Sequence, residues 1–233
     1  MTGAAPNEGK ALEVEVDGAR YLRIPLRTRV VVPGDDLEAF VAEYARDALQ
    51  PGDLLFVTEK IVAITQGRSH PVDEIEPRPL ARRLSRYVTR TPHGIGLGMP
   101  ETMEMALREC GTPRILVAAA AAAITKPLGR RGDFYRIAGD KARAIDGPTP
   151  GTIPPYNRAV VLGPLRPARV AADLRLLLGG QIDVAVVDIN DLGGNILGST
   201  MTRSDEARLG RILRDNPLGQ GHQSTPMGIV RAA

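Results

Sequence analysis

Residues 184–194 read Val-Ala-Val-Val-Asp-Ile-Asn-Asp-Leu-Gly-Gly, and this stretch indicates the fold. A continuous apolar run is typical of a strand covered on both faces. The run ends at Asp188, and Asn190 and Asp191 follow in a turn. Ligands commonly lie at the carboxyl ends of such strands, where carboxylate and carbonyl oxygens suit Mg²⁺ or Mn²⁺. A turn in which Asp188 only caps the next segment explains the stretch equally well, so both interpretations stay open.

Residues 54–57 form a second apolar run that predicts another buried strand. Glu59 and Lys60 follow directly and precede a further apolar stretch. Because buried charge is costly unless it is paired or bound, Lys60 is a candidate phosphate contact. A surface turn made by Glu59 and Lys60 is the simpler alternative.

The rest of the chain contains both strand-like and helix-like patterns of apolar residues. Alternation or apolar runs predict strands at residues 12–16, 21–26, 115–123, 134–138, 143–145 and 227–230, and helical spacing predicts helices at 36–49, 80–88, 102–108, 166–178 and 205–214. Strands and helices interleaved in this way favour an α/β or α+β class. Residues 1–10 are polar and predict a disordered tail.

Composition excludes several classes of protein. A net charge of only +3 argues against a nucleic-acid-binding protein. A single cysteine, Cys110, excludes an internal disulfide and suggests a reducing compartment. Residues 1–10 lack an apolar signal-peptide core, and the longest apolar run, 115–124, is too short to cross a bilayer. We therefore expect a cytoplasmic protein that binds neither membranes nor nucleic acid.

Two further segments carry candidate ligands. Asp146 follows a short predicted strand and precedes a tight turn, so Asp146 and Asp188 are candidates to share a cation. Residues 218–225 read Leu-Gly-Gln-Gly-His-Gln-Ser-Thr and run into the last predicted strand. Glycines allow close backbone approach to phosphate, whereas a plain hairpin loop rich in turn formers is the alternative. There is no P-loop motif, no G-x-S-x-G motif and no zinc-ligand spacing.

Five segments together resemble the coenzyme F420-0:γ-glutamyl ligase family. They read PGDDL (33–37), GDLLFVTEKIVAITQGR (52–68), AIDGPTPGTIPP (144–155), VAVVDINDLGGNILG (184–198) and NPLGQGHQSTPMGIVR (216–231), in the family's order. The resemblance implies an α/β (α+β) fold with a mixed sheet and flanking helices, which forms an intertwined homodimer. It also implies one ligase-like domain over residues 11–233, with two intertwined subdomains as the alternative.

The resemblance also implies a site. Members join glutamate to a carboxylate-bearing substrate with GTP and a divalent metal. Asp146, Asp188 and Gln220 match metal-ligand positions, and Ile189 matches another at which only its backbone carbonyl is a possible ligand. The segments that match nucleotide-binding positions contain Thr28, Arg29, Val30, Val31, Glu59, Lys60, Thr149, Leu218, Gly219, Gly221, His222, Gln223, Ser224 and Thr225. No catalytic side chain is assigned.

The sequence departs from the family between Asp188 and the terminal loop. A long Gly- and Arg-rich insert is absent, and Leu192-Gly-Gly-Asn195 replaces an Arg-rich continuation. We therefore predict an amide-forming ligase that uses Mn²⁺ or Mg²⁺ and GTP (or ATP) on a small carboxylate acceptor, with glutamate or another amino acid as the amine. An acyl phosphate intermediate needs no protein nucleophile. A true F420-0:L-glutamate ligase and a non-catalytic nucleotide- or metabolite-binding protein with this fold are the alternatives.

Overall fold

The computed structural model describes residues 5–88, 96–130, 132–191, 193–219, 221 and 223–233. The chain divides into two compact units. Unit 1 combines Met1–Gly67 with Pro164–Ala233, and unit 2 is Arg68–Gly163. Unit 2 is thus an insertion whose boundaries follow Gly67 and Gly163, positions that the sequence prediction did not mark.

The described elements alternate along the chain. The strands are β1 (Glu13–Val16), β2 (Ala19–Leu26), β3 (Leu54–Thr58), β4 (Ser69–Pro71), β5 (Ala159–Val161), β6 (Asp183–Asn190), β7 (Gly193–Ser199) and β8 (Met227–Ala232). The helices are α1 (Leu37–Ala45), α2 (Glu59–Thr65), α3 (Pro79–Ser85), α4 (Pro100–Cys110), α5 (Thr112–Thr125), α6 (Asp133–Ala138), α7 (Asp140–Arg143), α8 (Pro167–Leu177) and α9 (Arg203–Ile212). The predicted mixed α/β class, with helices flanking a mixed sheet, is confirmed.

Unit 1 contains a six-stranded sheet in the order β1-β2-β8-β3-β6-β7. Strands β3 and β6 run parallel, and the other neighbouring pairs run antiparallel. Met227 at the start of β8 lies opposite Leu26 at the end of β2 and opposite Val57 near the end of β3. Thr58 lies opposite Val187 of β6. The ends of β2, β3 and β6 and the start of β8 therefore share one edge of the sheet, which we call the site edge.

The sheet of unit 1 has apolar side chains on both faces. On one face Phe56, Ala185 and Val187 pack with Leu209 and Ile212 of α9. Helix α8 contacts β6 and β7, and α2 contacts β3 and β6. These two-sided contacts explain why β3 and the first part of β6 are uninterrupted apolar runs.

Unit 2 is built from α3–α7 and the two-stranded β4–β5 sheet. Three strand predictions in this unit are wrong. Residues 115–123 lie in α5, because a long alanine run has the highest helix propensity, and Pro113 is tolerated in its first turn. Residues 134–138 lie in α6, and α7 ends at Arg143, within the third predicted strand. Short apolar runs do not distinguish a buried strand from a buried helix.

Two segments of unit 1 also differ from expectation. The stretch after β6 forms strand β7, which the sequence did not predict because its glycines disfavour strands. Residues 7–10, part of the predicted disordered tail, make hydrogen bonds to other segments of unit 1, and Asn7 is only 3% exposed. The Asn7 side chain holds this segment through hydrogen bonds to Leu218 and Thr225. Apolar periodicity does not predict such polar contacts. Within the described residues, no helix is long and apolar enough to cross a membrane.

Candidate functional site

An open cleft of about 740 Å³ lies in unit 1. Three parts of the chain line it: the N-terminal segment, the region from the end of β2 to α1, and the loop before β8. The lining residues are Glu8, Arg27, Thr28, Tyr44, Gly221, Gln223 and Ser224. The volume lies within the range of small-molecule sites, and the walls offer charge, hydroxyls, an amide and an aromatic ring.

Thr28 and Ser224 both line this cleft and contact each other. The Thr28 amide donates to the Ser224 carbonyl at 2.8 Å, and the Ser224 hydroxyl donates to the Arg29 carbonyl at 3.2 Å. These contacts extend the pairing of β2 with β8 beyond Leu26 and Met227. The structure thus brings together two of the segments that the sequence assigned to nucleotide binding.

Arg29, directly after Thr28, contacts other residues of unit 1. Arg29 donates two hydrogen bonds to Asp35, at 2.6 and 2.8 Å, and its guanidinium lies 5.1 Å from the centre of the Phe40 ring. The hydrogen bonds from Arg29 and from the Val32 amide lower the pKa of the Asp35 carboxyl, and the bond to Asp35 raises the pKa of Arg29. Val31 is buried. Of the four predicted residues 28–31, only Thr28 lines the cleft.

The terminal loop, residues 218–225, is anchored at both ends. Leu218 and Thr225 are each 6% exposed. Gly219 adopts a φ of 69°, a region that favours glycine, and its carbonyl accepts a 3.0 Å bond from Asn216 Nδ2. Gly221, Gln223 and Ser224, between these ends, line the cleft. Gln220 and His222 lie outside the described residues.

Glu59 and Lys60 occupy the first turn of α2, directly after β3. The alternative of a surface turn is therefore wrong, because the apolar stretch that follows continues as a helix rather than a strand. The Thr58 amide donates to the Pro226 carbonyl at 2.9 Å and ties this point to the end of the terminal loop. Both side chains are partly exposed at the site edge.

Asp188, Ile189 and Asn190 lie within β6, so of the predicted turn residues Asn190 and Asp191 only Asp191 follows the strand. Ile189 packs against the cluster that contains Val187 and α9, so strand alternation places the Asp188 side chain on the opposite face of the sheet. Asp188 is partly exposed and lies opposite Asn195 of β7. Its carboxylate at the site edge is an oxygen donor of the kind that hard cations bind.

The remaining predicted site residues, Asp146 and Thr149, belong to unit 2. Asp146 follows α7 rather than a strand, its side chain is exposed, and its backbone exchanges hydrogen bonds of 2.8 and 3.0 Å with Val161. The Thr149 and Thr152 hydroxyls lie 2.6 Å apart. Because Asp146 and Asp188 belong to different units, their shared cation stays a prediction. Within the described ranges, no three His, Cys, Asp or Glu side chains are grouped as a metal site.

Three residues of the cleft were not assigned from the sequence: Glu8, Arg27 and Tyr44. Glu8 lies in the polar N-terminal segment, and Tyr44 occupies a helical position that also suits core packing. Arg27 directly precedes the predicted nucleotide-binding segment at Thr28, and this position next to the segment is the sequence feature from which its role could have been predicted.

A comparison with known proteins identifies the relatives of this chain. A family model described as F420-0:Gamma-glutamyl ligase matches residues 25–200, which is more than half of the chain. The chain belongs to this family. The F420 ligase match contains Thr28, Glu59, Lys60, Asp146 and Asp188. It begins after Glu8 and ends before the terminal loop.

One curated relative of the F420 ligase family is the coenzyme F420:L-glutamate ligase of Methanopyrus kandleri. The two sequences are 39% identical over 69 residues, which is 30% of this chain. The match spans about a quarter, 26%, of the length of that relative.

Proposed function

We propose that the chain is a metal- and nucleotide-dependent ligase that joins a carboxylate to an amine. Membership of the F420 ligase family supports an enzyme that forms amide-type bonds. The meeting of Thr28 with the terminal loop in one cleft is the observation that carries the proposal, because both segments match nucleotide-binding stretches of the family. We assign the nucleotide, GTP or ATP, to this cleft.

The cleft residues suit a phosphate-bearing ligand. The Arg27 guanidinium is a cation that pairs with phosphate oxygens. The hydroxyls of Thr28 and Ser224 both donate to the Arg29 carbonyl in the free protein, and rotation of either hydroxyl would let it donate to a phosphate oxygen instead. Gly221 lets the ligand approach the backbone, and the Tyr44 ring offers a surface for a base. These residues would bind and orient the ligand without forming a covalent bond to it.

The site edge extends from the cleft toward the metal candidate. The start of β8 is separated from β6 by β3 alone, which places it two strand spacings, roughly 10 Å, from β6. We therefore expect a ligand as long as a nucleoside triphosphate to extend from the cleft toward Asp188 of β6. The donor set fits Mg²⁺ or Mn²⁺, since Asp188 supplies a carboxylate and Ile189 a backbone carbonyl.

If ligation proceeds through an acyl phosphate, the residues of the cleft and the site edge need only bind the phosphate groups and the cation. A bound cation would neutralise phosphate charge and hold the transferred group in line with the attacking carboxylate. Arg27 and Lys60 would hold the phosphate oxygens, and Asp188 would hold the cation. An amine then attacks the activated carbonyl and displaces phosphate, so no protein nucleophile is required. This agrees with Cys110, whose thiol pKa is raised by burial and by nearby Glu109.

The names of the relatives suggest a candidate acceptor and amine. The family description names F420-0 and the name of the Methanopyrus relative includes L-glutamate, so these two make one candidate pair. The segment after Asp188 differs from the family pattern and folds as β7 followed by α9, so other carboxylate acceptors belong in the same test.

The test measures release of GDP or ADP in the presence of Mn²⁺ with a panel of carboxylates and amino acids that includes F420-0 and glutamate. We expect release that depends on both substrates in the parent protein, and its loss in Asp188→Asn. Asp47→Asn, an exposed substitution next to α1, is the matched control and should retain the activity. Nucleotide binding without release under any pair would instead identify a non-catalytic binding protein. No nucleotide binding at all would refute the proposal.

A further inference from the structure

Residues 7–10, which we call the N-terminal strap, lie outside the matched family region that begins at residue 25. The strap is a tight turn in which the Lys10 amide donates to the Asn7 carbonyl at 3.0 Å and Gly9 has a φ of 73°. Its second residue, Glu8, is one wall of the cleft. A segment without strand or helix thus reaches the same cleft as the terminal loop.

Asn7 connects the strap to both ends of the terminal loop. Its Nδ2 atom donates at 2.7 Å to the Leu218 carbonyl and at 2.7 Å to the Thr225 hydroxyl oxygen. An amide nitrogen carries two hydrogens, so these bonds use its full donor capacity. Asn7 is 3% exposed, so water does not replace these bonds easily.

Lys10 also connects the strap to the rest of unit 1, through two contacts of its side chain. Its Nζ atom lies 2.9 Å from an Asp191 carboxylate oxygen and 2.6 Å from the Asp215 carbonyl. Asp191 follows β6, and Asp215 lies shortly before the terminal loop. The strap therefore ties together two loops that the sequence separates by more than twenty residues.

We propose that Asn7 is a positioning residue for the cleft. It holds the terminal loop in the shape in which Gly221, Gln223 and Ser224 face the ligand. The identity of that ligand as a metal–nucleotide complex rests on the proposed function, but the anchoring of the loop does not. The strap thereby makes the chain's N-terminal segment part of the binding site.

Two variants of the full chain separate this role from general stability. Asn7→Ala removes the amide and with it both loop bonds. Asn7→Asp keeps the shape but removes the donor, so it loses the bond to the Leu218 carbonyl and places a carboxylate against that carbonyl, whereas the Thr225 hydroxyl can still donate to residue 7. Glu13→Ala, an exposed position on β1, is the control. Hydrogen exchange of the ligand-free protein then measures the loop, and calorimetry with Mn²⁺ and GTP measures the site.

We expect the amides of Gly219, Thr225 and Thr28, which bond within or across the loop, to exchange at least ten-fold faster in both Asn7 variants. Amides of the β3–β8 ladder should keep their parent rates. The Kd of the Mn²⁺–GTP complex should rise at least five-fold, and Glu13→Ala should match the parent in both measurements.

Unchanged exchange in the loop would overturn the proposal. Faster exchange throughout the β3–β8 ladder would also overturn it, because Asn7 would then only stabilise unit 1. An altered loop together with a parent protein that binds no nucleotide would uphold the anchoring by Asn7 and refute the proposed function. The two failures are therefore distinguishable.

Discussion

At the scale of single residues, three arginines close together in sequence have three different environments. Arg23 is buried and donates to the Ile212 carbonyl at 3.1 Å, to the Ala11 carbonyl at 2.8 Å and to Asp215. Arg29 is held by Asp35. Arg27 lines the cleft. Spacing does not separate these roles, because each depends on a partner that arrives from elsewhere in the fold.

We predict that Arg27→Ala weakens binding of the Mn²⁺–GTP complex. A charge-assisted hydrogen bond contributes about 1.5–3 kcal/mol, so the Kd should rise roughly 10- to 150-fold. Calorimetry at two salt concentrations checks this, because the parent should lose more affinity in high salt than the variant. Arg20→Ala, exposed on β2, is the control. Equal affinities for Arg27→Ala and the parent would remove Arg27 from the site.

At the scale of elements, backbone contact sets how closely α8 packs on β7. A Cβ atom added at Gly198 of β7 would lie 2.2 Å from the Ala168 nitrogen and 2.6 Å from its Cα atom. Backbone atoms cannot move away as a flexible side chain does, so any larger residue separates the strand from the helix. Gly210 of α9, by contrast, has nothing within 4 Å of such a Cβ atom.

We predict opposite effects for two glycine substitutions. Gly198→Ala should destabilise the protein by about 2–3 kcal/mol, as expected for overpacking. Gly210→Ala should stabilise it by about 0.4–1 kcal/mol, because alanine restricts the unfolded chain and favours helix. Urea unfolding of both variants measures the difference. A Gly198→Ala variant as stable as the parent would show that α8 and β7 can separate freely.

Helices α3 and α4 of unit 2 are linked through one buried carboxylate. Glu104 is 1% exposed and accepts bonds from Arg78 Nε at 3.0 Å and from Arg108 Nε at 2.8 Å. Desolvation alone would raise the pKa of Glu104, but the hydrogen bonds from the two arginines outweigh it and lower the pKa below the ordinary value of 4.5. The ionised form is therefore the one that stabilises the fold.

We predict that protonation of Glu104, which weakens its bonds to Arg78 and Arg108, contributes to unfolding in acid. Because the folded pKa of Glu104 is lowered, its contribution is complete above pH 4.5 and is lost as the pH falls through the folded pKa. Glu104→Gln should cost about 1–2 kcal/mol at pH 7, a value reduced for the half-exposed arginines, and the difference from the parent should shrink below pH 4. Thermal melts from pH 7 to pH 3 test this, with exposed Glu76→Gln as the control. A difference that is constant with pH would contradict it.

At the scale of the whole molecule, we predict a homodimer. The resemblance to the F420 ligase family implies an intertwined dimer, and a chain with only 3% aromatic residues, whose core is built mainly of aliphatic side chains, gains from burying further apolar surface at an interface. Light scattering at micromolar concentration should give twice the chain mass of 24.9 kDa. A monomer mass under these conditions would refute the prediction.

Local sequence determined those features that depend on neighbours along the chain. The apolar runs predicted β3 and the buried part of β6, alternation predicted β1 and β2, and helical spacing predicted α1, α8 and α9. The order of five segments indicated the family, and its model match confirmed that assignment. Such patterns can be recognised in the sequence because hydrophobic periodicity depends on residues that are close together along the chain.

The tertiary structure alone decided which distant residues meet. Strand β8 pairs between β2 and β3, and this placement joins Thr28 to Ser224, nearly 200 residues later. The same geometry buries Asn7 beside Leu218 and Thr225 and makes Glu8 and Arg27 cleft residues. No local pattern encodes such contacts, because a polar side chain gains a buried partner only when packing removes water from both. The sequence therefore predicted the fold class and the family, whereas the cleft and its contact with the N-terminal strap form only when the chain folds.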